Sequence, residues 1–450
     1  MNIEIISTED VKPASSTPRH LRLHKLSIID QLSPHLHTSP FVIFYPNDQR
    51  IMITEVISKR RQRLKQSLSE TLVAFYPLAG RIKDNVHLEC NDEGAHYVEA
   101  RLYNIQLLDF LGQKPEIHSL NKLLPIQPCS TEILSETPLL IIQISIFDCG
   151  GIVIGVSFSH KVVDAISILT FTKAWAAIAR GSSEKIHPCF ISPSIFPPHP
   201  HFPKDLTVVL NPPETPEEDK YVTKRFVFDR SALSALKAKA ATPSLPNPSS
   251  VTVVMGLLWK SFIVASKKRC KNENKPILLT PVNLRTRSSP PLPPNSFGNI
   301  VWMTFAHPCV DDSNLDLKFL VNQIRNAVAT INNDFVDGMK GVGGTLKVMG
   351  HYKNFFEECF YSNAETFLIS SICKQGFYDA DFGWGKPTWS SMASPGTDLH
   401  GFGNVAVLTD TRSGDGIQAF VAIKEQHMTI FERNQELLTF ASLNPSPLES

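Results

Sequence analysis

A chain of 450 residues with 42% apolar side chains is long enough to bury two or three hydrophobic cores. Its formal net charge is only +1 with histidine neutral, and its basic residues form only short runs, which argues against a nucleic-acid or anionic-membrane surface. The N-terminus carries acidic residues where a signal peptide would be basic and then apolar, and eight scattered cysteines show no C-x-x-C spacing. We therefore expect a cytoplasmic protein with reduced, mostly buried thiols and no metal site.

The first part of the chain alternates predicted strands and helices. FVIFYP, from Phe41, predicts a strand, and a helix follows from about Ile57 until Pro77 ends it. One face of this helix is apolar and consists of Leu64, Leu68, Leu72 and Phe75. The stretch from Leu139 to Phe158 is long enough to span a membrane, but Asp148 and two glycines interrupt it. It therefore predicts two buried strands joined by a turn, and no membrane insertion.

The segment from Gly151 to Gly181 changes its apolar period in the middle. IVIGVSFS predicts a buried strand, whereas from Asp164 onward apolar residues recur with helical spacing. They are Ile168, Phe171, Trp175 and Ile178. His160 lies between the strand and the helix, so both rigid elements support its side chain. This arrangement suits a general base, although a single histidine at a strand end is more often structural.

The second part of the chain starts after a proline-rich stretch. Residues 187–220 have no helical period and predict an extended crossover segment, and the histidines in it lack the second ligand pair of a metal site. Further strands and helices follow, among them strands around Thr366, Asn404 and Gln418 and a helical ending from about Met428. The glycine-rich stretch 338–350 lacks the spacing of a phosphate loop and predicts a mobile loop.

Alternating strands and helices in two comparable halves predict an α/β protein with two layered domains. We expect an N-terminal half over residues 1–186, the crossover segment over 187–220, and a C-terminal half over 221–450.

Four motifs occur in a fixed order along the chain. They are YPLAGR at Tyr76–Arg81, H-x-x-x-D at His160–Asp164, NLRxR at Asn283–Arg287 and DFGWG at Asp381–Gly385. In this combination the sequence resembles the BAHD family of plant coenzyme A-dependent acyltransferases over almost its whole length. Other stretches, including IDQL and FGNI, look most like the vinorine synthase-like acetyltransferase subgroup. The resemblance implies a chloramphenicol acetyltransferase-like architecture with a solvent channel between the two domains and His160 reachable from both ends.

The resemblance also implies a function and a mechanism. We expect an O-acyltransferase that moves an acetyl group from acetyl-CoA, as co-substrate, to a hydroxyl of a hydrophobic alkaloid or terpenoid. His160 would act as general base in a ternary complex, without an acyl-enzyme and without a permanently bound cofactor. The alternatives are another donor such as benzoyl- or malonyl-CoA, an amine acceptor, or a non-catalytic ligand-binding homologue. The expected partners are only these small molecules, and the expected state is a monomer.

Two further groups of residues have both a functional and a structural interpretation. In the resembling family the tryptophan of DFGWG, here Trp384, is a proposed oxyanion donor or positioner, while Asp381, Gly383 and Gly385 also suit a plain structural turn. Ser249, Ser250 and Thr252 begin a helix, where free N–H groups can bind the phosphates of CoA or where the hydroxyls can simply cap the helix.

Asp164 allows two interpretations as well. Four residues after His160, it could orient the imidazole as in a His-Asp dyad. The resemblance implies instead that it turns away and pairs with an arginine, which corresponds to Arg285. Because Asp164 is flanked by apolar residues, its carboxylate needs a cationic partner, and we predict a buried structural pair with Arg285.

Overall fold

The structure is a computed structural model that describes residues 2–33, 37, 40–47, 53–125, 137–202, 220–267, 276–308, 315–360, 365–393 and 403–449. It is a mixed α/β fold of two domains, as the alternating pattern predicts. The α-helices in this part of the chain are α1 Ile28–Leu32, α2 Ile53–Ala74, α3 Leu107–Gly112, α4 Ala165–Ala179, α5 Ser192–Ile195, α6 Arg230–Ala240, α7 Ser250–Lys267, α8 Leu317–Thr330, α9 Asn333–Met339, α10 Gly341–Phe360, α11 Glu425–Phe431 and α12 Gln435–Phe440.

The strands form two large sheets and one small one. They are β1 Ile3–Val11, β2 Leu23–Lys25, β3 Phe41–Tyr45, β4 Arg81–Ile82, β5 His87–Glu89, β6 Ala95–Leu102, β7 Leu140–Phe147, β8 Ile152–Phe158, β9 Tyr221–Phe228, β10 Ile277–Asn283, β11 Val301–Ala306, β12 Thr366–Ser371, β13 Trp389–Met392, β14 Asn404–Asp410, β15 Ile417–Lys424 and β16 Ser442–Leu443. The first sheet has the order β1-β6-β7-β8-β3-β13, the second β11-β10-β12-β14-β15-β9-β16, and the small sheet β2-β5-β4.

The central stretch of the first sheet has the predicted structure. All seven residues of β8 are buried between β7 and β3, as their apolar run predicts. Helix α4 then begins after Asp164, whose side chain accepts a hydrogen bond from the Ser167 N–H. It ends at Ala179, and Gly181 follows in the left-handed conformation (φ +74°). The indole of Trp175 on α4 donates to the Leu64 carbonyl of α2 (3.1 Å), so the two helices are joined where they pack.

One strand from the second part of the sequence belongs to the first sheet. Strand β13 pairs antiparallel with β3, while the strands before and after it, β12 and β14, pair with each other in the second sheet. Trp389 of β13 donates its indole N–H to Gln418 of β15 (3.2 Å). The segment 221–450 is therefore not confined to one sheet, because β13 crosses to the other. The domain limits themselves stay a prediction.

The prediction of a mobile loop at residues 338–350 is wrong. Helices α9 and α10 occupy this stretch, and only Lys340 separates them. Gly344 lies so close to the end of α9 that a Cβ on it would come within 2.2 Å of the Met339 carbonyl oxygen. Gly344 therefore permits a close approach between the two helices, a packing role that composition alone does not distinguish from a loop.

Helix α7 is the one helix among the described residues that is long and apolar enough to cross a membrane, but 67% of it is buried inside the protein. It packs in the core of the second domain, where an apolar helix is expected.

The thiols are less uniformly buried than we expected. Of the four cysteines whose side chains are described, only Cys90 is buried, and Cys149, Cys189 and Cys373 are partly exposed.

Candidate active site

His160 lies in the turn between β8 and α4. Ser159 forms an isolated bridge with His37, and the Val162 N–H closes the turn by donating to the Ser159 carbonyl (3.2 Å). The His160 residue remains partly exposed, whereas Ser159 and Lys161 on either side are buried. The turn is thus fixed by buried neighbours while part of His160 remains accessible, which suits a base acting on a bound substrate.

The surroundings of His160 favour a neutral imidazole. Burial lowers its pKa below the ordinary value of 6.5 because the charged form loses water. The carbonyl of His160 itself, the charge of Asp164 and the side chain of Asn299 act in the opposite direction, but the net shift is downward. The imidazole is therefore unprotonated at neutral pH and able to accept a proton.

Asp164 and Arg285 form a buried, bidentate ion pair, as predicted. Arg285 Nη1 lies 2.7 Å from Asp164 Oδ2 and Nη2 lies 3.0 Å from Oδ1. The backbone N–H groups of Ser167 and Ile300 donate to the same carboxylate. Burial alone would raise the pKa of Asp164, but the arginine charge and these hydrogen bonds outweigh it and lower that pKa. Because four donors occupy the carboxylate, it has no direct bond to the His160 ring, and the geometry does not support a His-Asp dyad.

The segment Ser296–Ile300 connects this ion pair to the histidine turn. Arg285 Nη2 donates to the Ser296 carbonyl (2.8 Å), and the Ser167 hydroxyl donates to the Gly298 carbonyl (3.0 Å). Asn299 Nδ2 in turn donates to the His160 carbonyl (2.8 Å). A segment of the second half of the sequence therefore holds the turn that carries the histidine of the first half.

Asp30 is a second buried acid near the histidine turn that sequence reasoning missed. Its Oδ1 accepts hydrogen bonds from the backbone N–H and from Nδ2 of Asn299 (2.8 and 2.9 Å), and its Oδ2 accepts from the backbone and hydroxyl of Ser27. Burial raises the pKa of Asp30, and these hydrogen bonds oppose the rise. Asp30 lies within IDQL and Asn299 within FGNI. The sequence signal for these two residues was the resemblance of both stretches to the family, which does not by itself indicate a role.

Lys161 attaches the same turn to helix α1. Its Nζ donates to the carbonyls of Gln31 (2.8 Å) and Ser33 (3.1 Å) at the end of that helix. Burial lowers the pKa of Lys161 to about 8, and the charge of Asp30 opposes this shift. Helix α1 therefore contacts the histidine turn twice, through Asp30 by way of Asn299 and through Lys161.

The DFGWG motif forms a tight turn. Asp381 Oδ1 accepts hydrogen bonds from the N–H groups of Gly383 and Gly385 (both 2.9 Å). The two glycines have φ of +102° and +96°, which residues with a side chain rarely adopt. The structural interpretation of Asp381, Gly383 and Gly385 therefore agrees with the observed geometry.

The prediction that Trp384 donates to the oxyanion does not fit its position. Trp384 lies with Ala179 and Arg180 around a cavity of ≈ 270 Å³ at the end of α4, and Arg60 stacks on its ring (5.1 Å). His160 lies at the opposite end of this 15-residue helix, which is about 20 Å long at 1.5 Å per residue. An oxyanion donor must lie about 3 Å from the reacting oxygen, so Trp384 is too far away.

The three residues proposed for CoA begin helix α7, and two of them bond to each other. The Ser249 hydroxyl accepts from the Thr252 N–H (3.0 Å) and lies 2.7 Å from the Thr252 hydroxyl. These contacts are those of a helix cap. Ser249 is exposed and Ser250 half-exposed, so a ligand can reach the start of the helix.

Comparisons with known proteins agree with this fold. A family model described as the transferase family matches residues 1–438. Epi-neemfruitin B 7-O-acetyltransferase of Melia azedarach is 38% identical, with all of both chains covered. The crystal structure of vinorine synthase, an enzyme of Rauvolfia serpentina, matches with a TM-score of 0.80 at 34% identity over 98% of this chain and 99% of that one.

A more distant solved structure has the same fold. It is F. sporotrichioides TRI101, crystallised with coenzyme A and T-2, which matches with a TM-score of 0.70 at 17% identity over 94% of this chain and all of that one. Family model, relatives and structures thus agree with the resemblance inferred from the four motifs, and the chain belongs to the transferase family of BAHD coenzyme A-dependent O-acyltransferases.

Proposed function

We propose that this enzyme transfers an acetyl group from acetyl-CoA to a hydroxyl of a hydrophobic specialised metabolite of the alkaloid or terpenoid type, with His160 as general base. The observation that carries the proposal is His160, a partly exposed residue on a rigidly held turn whose imidazole has a lowered pKa. A neutral imidazole in such a position can remove a proton from an alcohol as the new bond forms.

The reaction needs no nucleophile from the protein. The acceptor oxygen attacks the thioester carbonyl carbon while His160 takes the hydroxyl proton. The carbon–sulfur bond then breaks, and the imidazolium returns the proton to the departing thiolate. The products are an acetate ester and coenzyme A, and His160 is neutral again. Asp164 contributes by fixing the turn through Arg285 and not by contacting the ring.

The choice of donor and acceptor rests on the relatives. The Melia azedarach relative is named as a 7-O-acetyltransferase, which supports acetyl as the acyl group and a hydroxyl as the acceptor. The start of α7, at Ser249, Ser250 and Thr252, is our proposed contact for the CoA phosphates because its positive dipole end faces accessible surface. We further propose that the enzyme acts as a monomer in the cytoplasm.

An acyl-transfer assay tests this proposal. Purified enzyme is incubated with labelled acetyl-, benzoyl- or malonyl-CoA and with a panel of limonoid alcohols, indole alkaloid alcohols, a small hydrophilic alcohol and an amine. We expect acetyl esters of the hydrophobic alcohols to form fastest. Faster turnover with malonyl-CoA, or an amide as main product, would reject the proposed substrate pair.

Replacing the histidine tests the proposed base. His160→Ala should reduce kcat by about 10² to 10⁴-fold in a folded protein. His96→Ala, which removes another partly exposed histidine, on strand β6 of the first sheet, is the matched control and should keep full activity. Activity of His160→Ala within a few-fold of the parent at saturating acceptor would remove His160 from the mechanism.

A further inference from the structure

The side chain of Asn299 occupies a position that the ion pair of Asp164 does not explain. It is completely buried, and its Nδ2 group donates to two different acceptors, Asp30 Oδ1 at 2.9 Å and the His160 carbonyl at 2.8 Å. It is thus the one described side chain that donates a hydrogen bond to the peptide group of His160 itself. No hydrogen bond joins this side chain to Asp164 or Arg285 directly, so it forms a separate support for the turn.

These two neighbours fix which way the amide points. A carbonyl oxygen cannot donate a hydrogen bond, and Asp30 Oδ1 already accepts from the Asn299 backbone N–H. A flipped amide would therefore bring its oxygen against two acceptors, so the orientation with Nδ2 toward them is the stable one. Asn299 Oδ1 is consequently held on the other side, where it is buried and has no hydrogen-bond partner among the described residues. A buried acceptor without a partner is rare and calls for an explanation.

We propose that Asn299 is the positioning residue of His160, with Nδ2 holding the histidine's carbonyl and Oδ1 accepting the imidazole N–H that faces away from the acceptor hydroxyl. In this arrangement Asp30 orients the amide, the amide orients the ring, and the ring presents its unprotonated nitrogen to the substrate. The inference rests on the proposed role of His160 as base. It assigns to an asparagine the orienting part that the acid plays in a His-Asp dyad.

The electrostatic surroundings of His160 agree with this assignment. Burial has the largest effect and lowers the pKa of His160, while its own carbonyl, the charge of Asp164 and, as the smallest contribution, the side chain of Asn299 raise it. The other charged groups around the turn are already occupied: Lys161 by the carbonyls of α1, Arg285 by Asp164, and Asp30 by Asn299 and Ser27. Removing the Asn299 side chain should therefore lower the pKa of His160 further.

The experiment compares two asparagines with the same kind of contacts. Asn299→Ala is compared with Asn404→Ala, because Asn404 is also buried and its Nδ2 also donates to one carboxylate, Glu365, and one backbone carbonyl, that of Thr366. Asn404 begins β14 in the second sheet, so it serves as the matched control for a lost buried asparagine. Urea unfolding of both variants measures the stability that each substitution removes.

We expect Asn299→Ala to lower kcat by about 10²-fold, the scale of a misplaced catalytic group, with the KM for acetyl-CoA unchanged. The acid limb of its kcat/KM profile should move to lower pH. Asn404→Ala should lose comparable stability and keep its activity within about two-fold. If Asn299→Ala does not fold, Asn299→Ser replaces it under the same criteria, since its shorter side chain cannot bridge Asp30 and the His160 carbonyl together.

Activity of the Asn299 variant within two-fold of the parent, or an acid limb that does not move, would overturn the positioning role. Equal loss of activity in Asn404→Ala would overturn it too, because the loss would then follow from destabilisation. His160→Ala, measured in parallel, separates this inference from the proposed function. An active His160→Ala rejects the base itself, whereas an inactive His160→Ala with a fully active Asn299→Ala rejects only the inference.

Discussion

The buried pair of Asp164 and Arg285 leads to a quantitative prediction about stability. Removing one member leaves the other charged and buried, which typically costs about 3 to 5 kcal/mol. The structure ranks the two single substitutions. Arg285→Ala leaves Asp164 with the N–H groups of Ser167 and Ile300, whereas Asp164→Ala also removes the cap of α4, which is worth about 1 kcal/mol. Asp164→Ala should therefore be the more destabilising change.

A double-mutant cycle measures the interaction itself. Free energies of unfolding come from urea titrations of the parent, the two single variants and the double variant, compared at equal m-value. The second substitution should cost far less than the first, with a coupling energy of about 2 to 3 kcal/mol. Additive losses would refute the pairing. Asp164→Asn with parental stability and strongly reduced turnover would instead revive the dyad.

The pair should also make stability depend on pH. Because the folded pKa of Asp164 lies below its unfolded value, its contribution is complete above the unfolded pKa of about 3.9 and is lost as the pH falls through the folded pKa. Above pH 5 the difference between the urea unfolding midpoints of the parent and of Asp164→Asn should stay constant. A difference that disappears between pH 5 and 8 would contradict this sign.

Three further predictions concern catalysis. Because the pKa of His160 is lowered and the neutral form is the base, the acid limb of kcat/KM should have its midpoint below pH 6.5, and a midpoint above 7 would contradict the burial argument. Trp384→Phe should keep kcat within about two-fold of the parent value, because it keeps an aromatic ring near Arg60 and removes only an indole N–H that has no partner among the described residues. A loss of kcat of about 10² to 10³-fold would restore the oxyanion role. Mass spectrometry during turnover should detect no acetylated side chain, and a kinetically competent acetyl-enzyme would overturn direct transfer.

Local sequence patterns predicted those helices and strands whose structure depends mainly on their own residues. The switch from a buried strand to a helical apolar stripe predicted both β8 and α4, and Asp164 and Gly181 were visible as the ends of that helix. That Asp164 needs a cationic partner was also predictable from its apolar neighbours, whereas the choice of Arg285 came from the family resemblance.

The remaining parts of the site depend on contacts between distant residues. Asp30 and Asn299 lie 269 positions apart, and nothing in the local sequence of either indicates that they meet at His160. The oxyanion role that the resemblance implies for Trp384 does not fit its position, because a motif reports which residues occur together and not where the turn lies relative to α4. Residues 338–350 were misassigned because their glycine-rich composition does not separate a flexible loop from two helices that meet closely at Gly344.

The crossing of β13 into the first sheet has a consequence for how the protein folds during synthesis. Strand β3 has β8 on one side and β13 on the other, so its second edge stays open until residues 389–392 leave the ribosome. An open, apolar strand edge invites pairing with other chains. We expect that nascent chains truncated before β13 need chaperones to stay in solution, and that residues 1–202 and 220–450 expressed together, as two fragments, recover solubility that the first fragment alone lacks.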